Sequence, residues 1–115
     1  MRIALDFDQT VTLDPEFWRA FIRLAQDAGH DIRIVTARDD KLDRTAMVAS
    51  MESLCPVIYT RGIAKRWFCG HFGGNFQPDV WIDDRPEAVI ANSPTTPEDL
   101  ARWREERNEG ESIAP

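Results

Sequence analysis

Short runs of β-branched and aliphatic residues alternate with amphipathic stretches along most of this chain, and that alternation limits the folds open to it more than any other feature. Ile3-Ala4-Leu5-Asp6-Phe7-Asp8 is an apolar run ending in acids, as in a buried strand whose C-terminal end opens into a site. Asp14 then stands as a helix N-cap with Pro15 at the first helical position. Phe17, Trp18, Phe21, Ile22, Leu24, Ala25 and Ala28 recur at helical spacing, and Gly29 closes the segment. The pattern repeats with Ile32-Arg33-Ile34-Val35-Thr36 as a strand and a helix from about Asp39 that carries Ala46, Met47, Met51 and Leu54 on one side, closed by Cys55-Pro56. Val57-Ile58-Tyr59 is a third strand, Ile63 to Phe72 a helix, and Val80-Trp81-Ile82 a fourth strand ending in Asp83-Asp84.

Strands joined through helices require crossovers, so the chain reads as an α/β domain of three-layer, Rossmann-like form, with a mostly parallel sheet covered on both faces. Strand one is expected between strands two and four. Beyond strand four, Pro86 to Ala91 reads as a short helix, and Thr96-Pro97-Glu98-Asp99 starts a charged helix running through Trp103 to about Asn108. Residues 110–115 are expected to fray. A fifth parallel strand is not evident, with residues 111–114 or part of 87–91 as its two candidate sources.

The length of 115 residues fits a single domain spanning 1–115, with little room for a second lobe. Hydrophobic residues at 43% and charged residues at 30% are those of an ordinary globular protein. No apolar stretch is long enough for a signal peptide or a membrane span, so a cytoplasmic location without membrane contact is expected. Cys55 and Cys69 are accordingly expected as reduced thiols. A zinc site from Cys55, Cys69 and His71 lacks the paired, closely spaced ligands such sites use. The net charge of −6 gives no positive field to hold a polyanion, which argues against nonspecific nucleic-acid binding. Arg61, Lys65 and Arg66 would suffice to receive one phosphate.

In an open parallel sheet, ligands bind beyond the carboxyl ends of the strands. The notable polar residues all fall there: Asp6 and Asp8 after strand one, Thr36 after strand two, Lys65 after strand three, Asp83 and Asp84 after strand four. Asp6-Phe7-Asp8-Gln9-Thr10-Val11 resembles the Asp-x-Asp-x-Thr motif that opens phosphatases of the haloacid dehalogenase (HAD) superfamily. Ile34-Val35-Thr36, Lys65 and Asp83-Asp84 follow in the order of that family's later motifs, over roughly residues 3 to 90. The chain has two lysines, Lys41 and Lys65, against twelve arginines, and Lys65 holds the family position, with Lys41 as the alternative.

The resemblance implies a magnesium-dependent phosphohydrolase, a phosphomonoesterase working through an aspartyl-phosphate. Asp6 would be the nucleophile, and Asp8 would protonate the leaving oxygen and then activate water. Thr36 would hydrogen-bond a phosphoryl oxygen, while Lys65 would hold Asp6 and the phosphate by charge. Mg²⁺ would sit on Asp6, the Asp8 backbone carbonyl and Asp83, with Asp84 binding directly or through water. The same residues have plainer uses: Asp6 and Asp8 as caps of a strand-to-helix turn, Thr36 as a strand end, Asp83-Asp84 as an N-cap before Pro86.

Only 26 residues separate Thr10 from Thr36 and 29 separate Thr36 from Lys65, each interval consumed by one helix and one strand, so no cap domain is expected. The flap after the first motif is limited to Val11 to Leu13. Gln9 stands where relatives commonly have glycine. An uncapped rim suits a bulky phosphorylated substrate, or a site completed by a second copy of the chain. Two other functions stay open, a catalytically idle binding or regulatory domain that keeps the metal site and a phosphatase of nucleotide or nucleic-acid ends. Phe17, Trp18, Phe21 and Trp81 fall at core-facing spacings, Trp67-Phe68 reads as helix packing, and His30 and His71 as loop residues. The cluster Gly70 to Gly74 neither follows a strand nor opens a helix, so it is not a phosphate-binding loop.

Overall fold

Strand β1 (Arg2–Leu5) is the axis of the molecule, with β2 (Asp31–Thr36) on one side and β4 (Val80–Ile82) on the other. Strand β3 (Val57–Tyr59) lies outside β2, so the sheet order is β3-β2-β1-β4 and every pairing is parallel. The structure is a computed structural model, and it describes residues 1–93, 98, 101, 102 and 104–106. The helices are α1 (Pro15–Asp27), α2 (Ala46–Met51), α3 (Lys65–His71) and α4 (Glu87–Ile90), with a 3₁₀ turn over Val11–Leu13. Strand one between two and four is the arrangement expected from the sequence, and the architecture is Rossmann-like.

Side chains alternate across the sheet as the period of two demands. Ile3 and Leu5 of β1 and Ile32 and Ile34 of β2 join Ile22 and Ala25 of α1 and Val48 and Met51 of α2 in one apolar cluster. Ala4 and Val35 point the other way, to Cys69 of α3, Phe76 and the partly buried Ile58 and Trp81. Helices thus cover both faces. Burying a side chain such as Ile22, which is fully enclosed, is worth about 2 kcal/mol.

Helix α1 starts where the sequence indicates: the Asp14 carboxylate accepts from the Phe17 amide at 3.2 Å and Pro15 occupies the first turn. Gly29, at φ +87°, makes the left-handed exit. The apolar stripe of α1 is wider than the arc that meets the sheet. At about 100° per residue, Phe17 and Leu24 fall on one edge of that stripe, and both are exposed, at 55% and 69%. Trp18 and Phe21 pack against the core as expected, and Phe17 makes an edge-on contact with Trp18 at 5.0 Å between centroids.

Helix α2 begins later than the expected Asp39. The Asp39 carboxylate accepts from the amides of Lys41 and Leu42 at 2.7 and 3.1 Å, and the Asp43 carboxylate accepts from the Asp39 amide at 2.9 Å. Acidic side chains that bond nearby amides compete with the helical ladder, so 39–45 is a loop and the helix starts at Ala46. Residues 87–90 are helical, which removes 87–91 as a source of a fifth strand. Residues 111–114 lie outside the described residues, as do the tail 110–115, Thr96, Pro97, Asp99, Trp103 and Asn108. Glu98, Ala101, Arg102 and residues 104–106 are helical. No described helix is long and apolar enough to cross a membrane.

Candidate active site

Register carries the acids together. Leu5 pairs with Ile82, and the Asp6 amide donates to the Ile82 carbonyl at 2.9 Å, so the residues after β1 and β4 emerge side by side. Carboxylate oxygens of Asp6, Asp83 and Asp84 lie within 4.8 Å of one another. Lys65 arrives from β3 by a sharp turn in which Arg61 and Gly62 both adopt positive φ, +57° and +84°. Its helix start is tied down by Asn92, whose side-chain oxygen accepts from the Ala64 amide at 2.8 Å.

Lys65 is 2% exposed, and its Nζ donates to Asp6 Oδ1 at 2.8 Å and Asp83 Oδ2 at 2.6 Å. Burial pushes the Asp6 carboxyl up to about 8 against the pull of Lys65, and the neighbouring carboxyls of Asp84 and Asp83 push in the same direction as burial. For Lys65, burial acts to lower the ammonium value, but Asp6 and Asp83 outweigh it and the net shift is upward. Asp83 Oδ1 accepts from the Arg85 amide at 2.9 Å, a turn contact and not the N-cap read from the sequence, because Pro86 occupies the N-cap position of α4 without a side-chain cap. Lys41, the alternative lysine, is exposed.

Asp8 faces the same cavity, which measures about 550 Å³. Its carboxylate stands outside the three-acid cluster and is instead gripped by Arg38, whose Nη2 donates to Oδ1 at 2.7 Å and Nε to Oδ2 at 3.0 Å. Arg38 is completely buried, lies over the Phe7 ring at 4.8 Å, and donates through Nη1 to the Asp43 carbonyl at 3.1 Å and Thr45 Oγ1 at 3.0 Å. Nothing in the sequence separates Arg38 from the other eleven arginines except its position two residues after Thr36. A polar residue just past a strand's carboxyl end was the available signal. Asp8 keeps access to solvent, its side chain being 32% exposed.

Thr36 ends β2 fully buried, and its Oγ1 accepts from the Arg38 amide at 3.2 Å. Ala37, not Thr36, lines the cavity. The mouth is bordered by the exposed residues Leu13 and Arg85 and by Glu106. A 3₁₀ turn spans Val11–Leu13, where the short flap was expected, and Gln9, at φ +60°, occupies the left-handed conformation that glycine adopts most easily.

The donors present are carboxylate oxygens, a set suited to a hard divalent cation such as Mg²⁺. Asp6, Asp83 and Asp84 are the group among the described residues that could hold one. Cys55, Cys69 and His71 form no such group among the described residues. Both thiols are buried and pushed up to about 11 by that burial. His71 belongs to the last turn of α3, correcting its loop assignment, and stacks on Trp67 at 4.3 Å. Comparison with known proteins finds no family model, curated protein or solved structure that matches this chain.

Proposed function

We propose that the chain is a magnesium-dependent phosphohydrolase of HAD type that acts on phosphomonoesters through an aspartyl-phosphate on Asp6. The observation that carries this reading is the buried Lys65 ammonium shared by Asp6 and Asp83, with Asp8 facing the same cavity. An Asp6 oxygen attacks phosphorus and the bond from phosphorus to the leaving oxygen breaks, while Asp8 delivers a proton to that oxygen. Water, deprotonated by Asp8, then cleaves the acyl phosphate and regenerates Asp6. Lys65 neutralises charge on Asp6 and the phosphoryl group, while Thr36, fully buried behind the cavity-lining Ala37 with its Oγ1 accepting from the Arg38 amide, holds the turn after β2 instead of reaching a phosphoryl oxygen. Asp6, Asp83 and Asp84 would hold Mg²⁺, with the Asp8 carbonyl as a further ligand, and the ion would supply electrostatic stabilisation of the transferring group.

The rim suits a phosphate on a bulky substrate, or a site completed by a second copy of the chain. One observation favours a different class of function. The bidentate grip of Arg38 on Asp8 would also serve a catalytically idle domain that keeps the fold and metal site.

Hydrolysis of a generic activated phosphomonoester in magnesium separates the two, together with binding of beryllofluoride as a phosphoryl mimic. Wild type is expected to turn over and Asp6→Asn to lose turnover while remaining folded. Equal rates in the two would remove Asp6 as nucleophile. A wild type that neither hydrolyses a panel of nucleotides, sugar phosphates, phosphopeptides and phosphorylated DNA ends nor binds the mimic would favour the idle domain.

A further inference from the structure

The C-terminal helical residues are linked to the site by a continuous run of polar contacts. Arg104 Nε donates to Asp43 Oδ1 at 2.7 Å across 61 positions of sequence. The Asp43 side chain is only 6% exposed, and its Oδ2 accepts from the Asp39 amide at 2.9 Å, so a single carboxylate joins the start of the 39–45 loop to Arg104. The backbone carbonyl of that same residue accepts from Arg38 Nη1, and Arg38 grips Asp8. Two residues beyond Arg104, Glu106 borders the cavity mouth.

We propose that Arg104 is a positioning residue for Asp8, acting through Asp43 and Arg38, so that the C-terminal helical residues help set the geometry of the acid–base group. The physical reason is that Asp43 is nearly buried and carries a charge. Its carboxylate needs a cationic or amide donor on each oxygen, and Arg104 supplies the cation. Loss of that donor frees Asp43 to rotate, which shifts the carbonyl and the Thr45 hydroxyl that hold the Arg38 guanidinium in its plane. A guanidinium held less firmly at Nη1 holds Asp8 less firmly. The catalytic consequence rests on the phosphohydrolase reading, whereas the mechanical link does not.

The test uses the full chain and two readouts, with far-UV circular dichroism to confirm folding. Hydrogen exchange at the Arg38 Nε–H, followed by ¹⁵N NMR, reports the link directly because that proton is donated to Asp8. Steady-state kinetics on an activated phosphomonoester report its effect. Arg104→Ala is expected to speed Arg38 Nε–H exchange about tenfold and lower kcat about tenfold with KM changed less than about twofold. Arg104→Lys should recover part of both, and Glu105→Ala, on the same helical turn, should change neither. Asp43→Asn gives the same direction from the other side of the contact. Exchange within about twofold of wild type in both Arg104→Ala and Asp43→Asn would overturn the inference, as would faster exchange with unchanged kcat in an active enzyme. Faster exchange in a protein whose wild type has no turnover would leave the link standing and remove the phosphohydrolase reading instead.

Discussion

The Lys65 ammonium lies 2.8 Å from the Asp6 carboxylate in a part of the molecule where both side chains are more than nine-tenths buried. Removing Lys65 leaves the buried oxygens of Asp6 and Asp83 without the donor they share, and a buried polar group that loses its partner costs more than the contact contributes. Lys65→Met is therefore expected to destabilise the metal-free protein by about 3 kcal/mol in urea unfolding. Millimolar magnesium should restore part of that loss, because a cation on Asp6, Asp83 and Asp84 supplies the missing positive charge. A variant as stable as wild type without metal would show that Asp6 and Asp83 need no counter-charge.

The raised Asp6 value has a definite consequence for stability against pH. Folded, Asp6 holds its proton up to about 8, and unfolded it releases it near the ordinary 3.8. Between those values the native chain binds more protons than the unfolded chain, so the contribution of Asp6 is full below about pH 4 and is lost as pH rises toward 8. Without metal, the stability advantage of Asp6→Asn over wild type should grow from about pH 5 to about pH 8. Magnesium should shrink it. A difference independent of pH would show that Asp6 does not titrate in this range.

A cation that binds the native acidic cluster and not the unfolded chain stabilises by mass action. At about a hundredfold above its dissociation constant the gain is about 2.7 kcal/mol. Protein stripped with chelator should melt higher as magnesium is added, and Asp83→Asn should lose most of that response. An unchanged melting curve across millimolar magnesium would remove the metal from the proposed mechanism.

Arg38 is fully buried with donors on Asp8, Asp43 and Thr45. Arg38→Met keeps most of the aliphatic volume but removes the guanidinium, and should cost about 3 kcal/mol of stability. Arg38→Lys should recover less than half, because one ammonium cannot reproduce a planar fork aimed at three partners. If Asp8 is the acid–base group, both variants should also lower kcat by a factor on the order of ten or more. Full activity in Arg38→Met would separate the guanidinium from the chemistry.

Gln9 holds φ +60° between Asp8 and the 3₁₀ turn, its backbone amide donating to Thr12 Oγ1 at 3.0 Å. A side chain in the left-handed region costs about 1 kcal/mol, partly offset in the comparison by the greater unfolded-state freedom of glycine. Gln9→Gly should raise stability by about 0.5 kcal/mol or somewhat more. A measured loss would mean that the glutamine side chain makes a compensating contact.

The four strands and the acids that follow β1 and β4 were legible in the residue pattern because periodicity and N-capping are local properties, encoded within a few residues of where they act; of the sheet order, only β1 between β2 and β4 was expected. Asp14 with Pro15, Gly29, and the pairs Asp6/Asp8 and Asp83/Asp84 each carry their own position. The exposure of Phe17 and Leu24 was not legible, since an apolar stripe does not state how wide the surface facing it is. Neither was the loop over 39–45, where Asp39 and Asp43 turn aside amides that the helical pattern assigned to a ladder. Lys65 could be favoured over Lys41 by motif order, but only the turn through Arg61 and Gly62 drives its ammonium between Asp6 and Asp83. Above all, Arg38 meets Asp8 across 30 positions and Arg104 meets Asp43 across 61. Which of twelve arginines is buried, and against which acid, depends on how β1, β2 and the last helical segment come together, and no local pattern in the chain contains that distance.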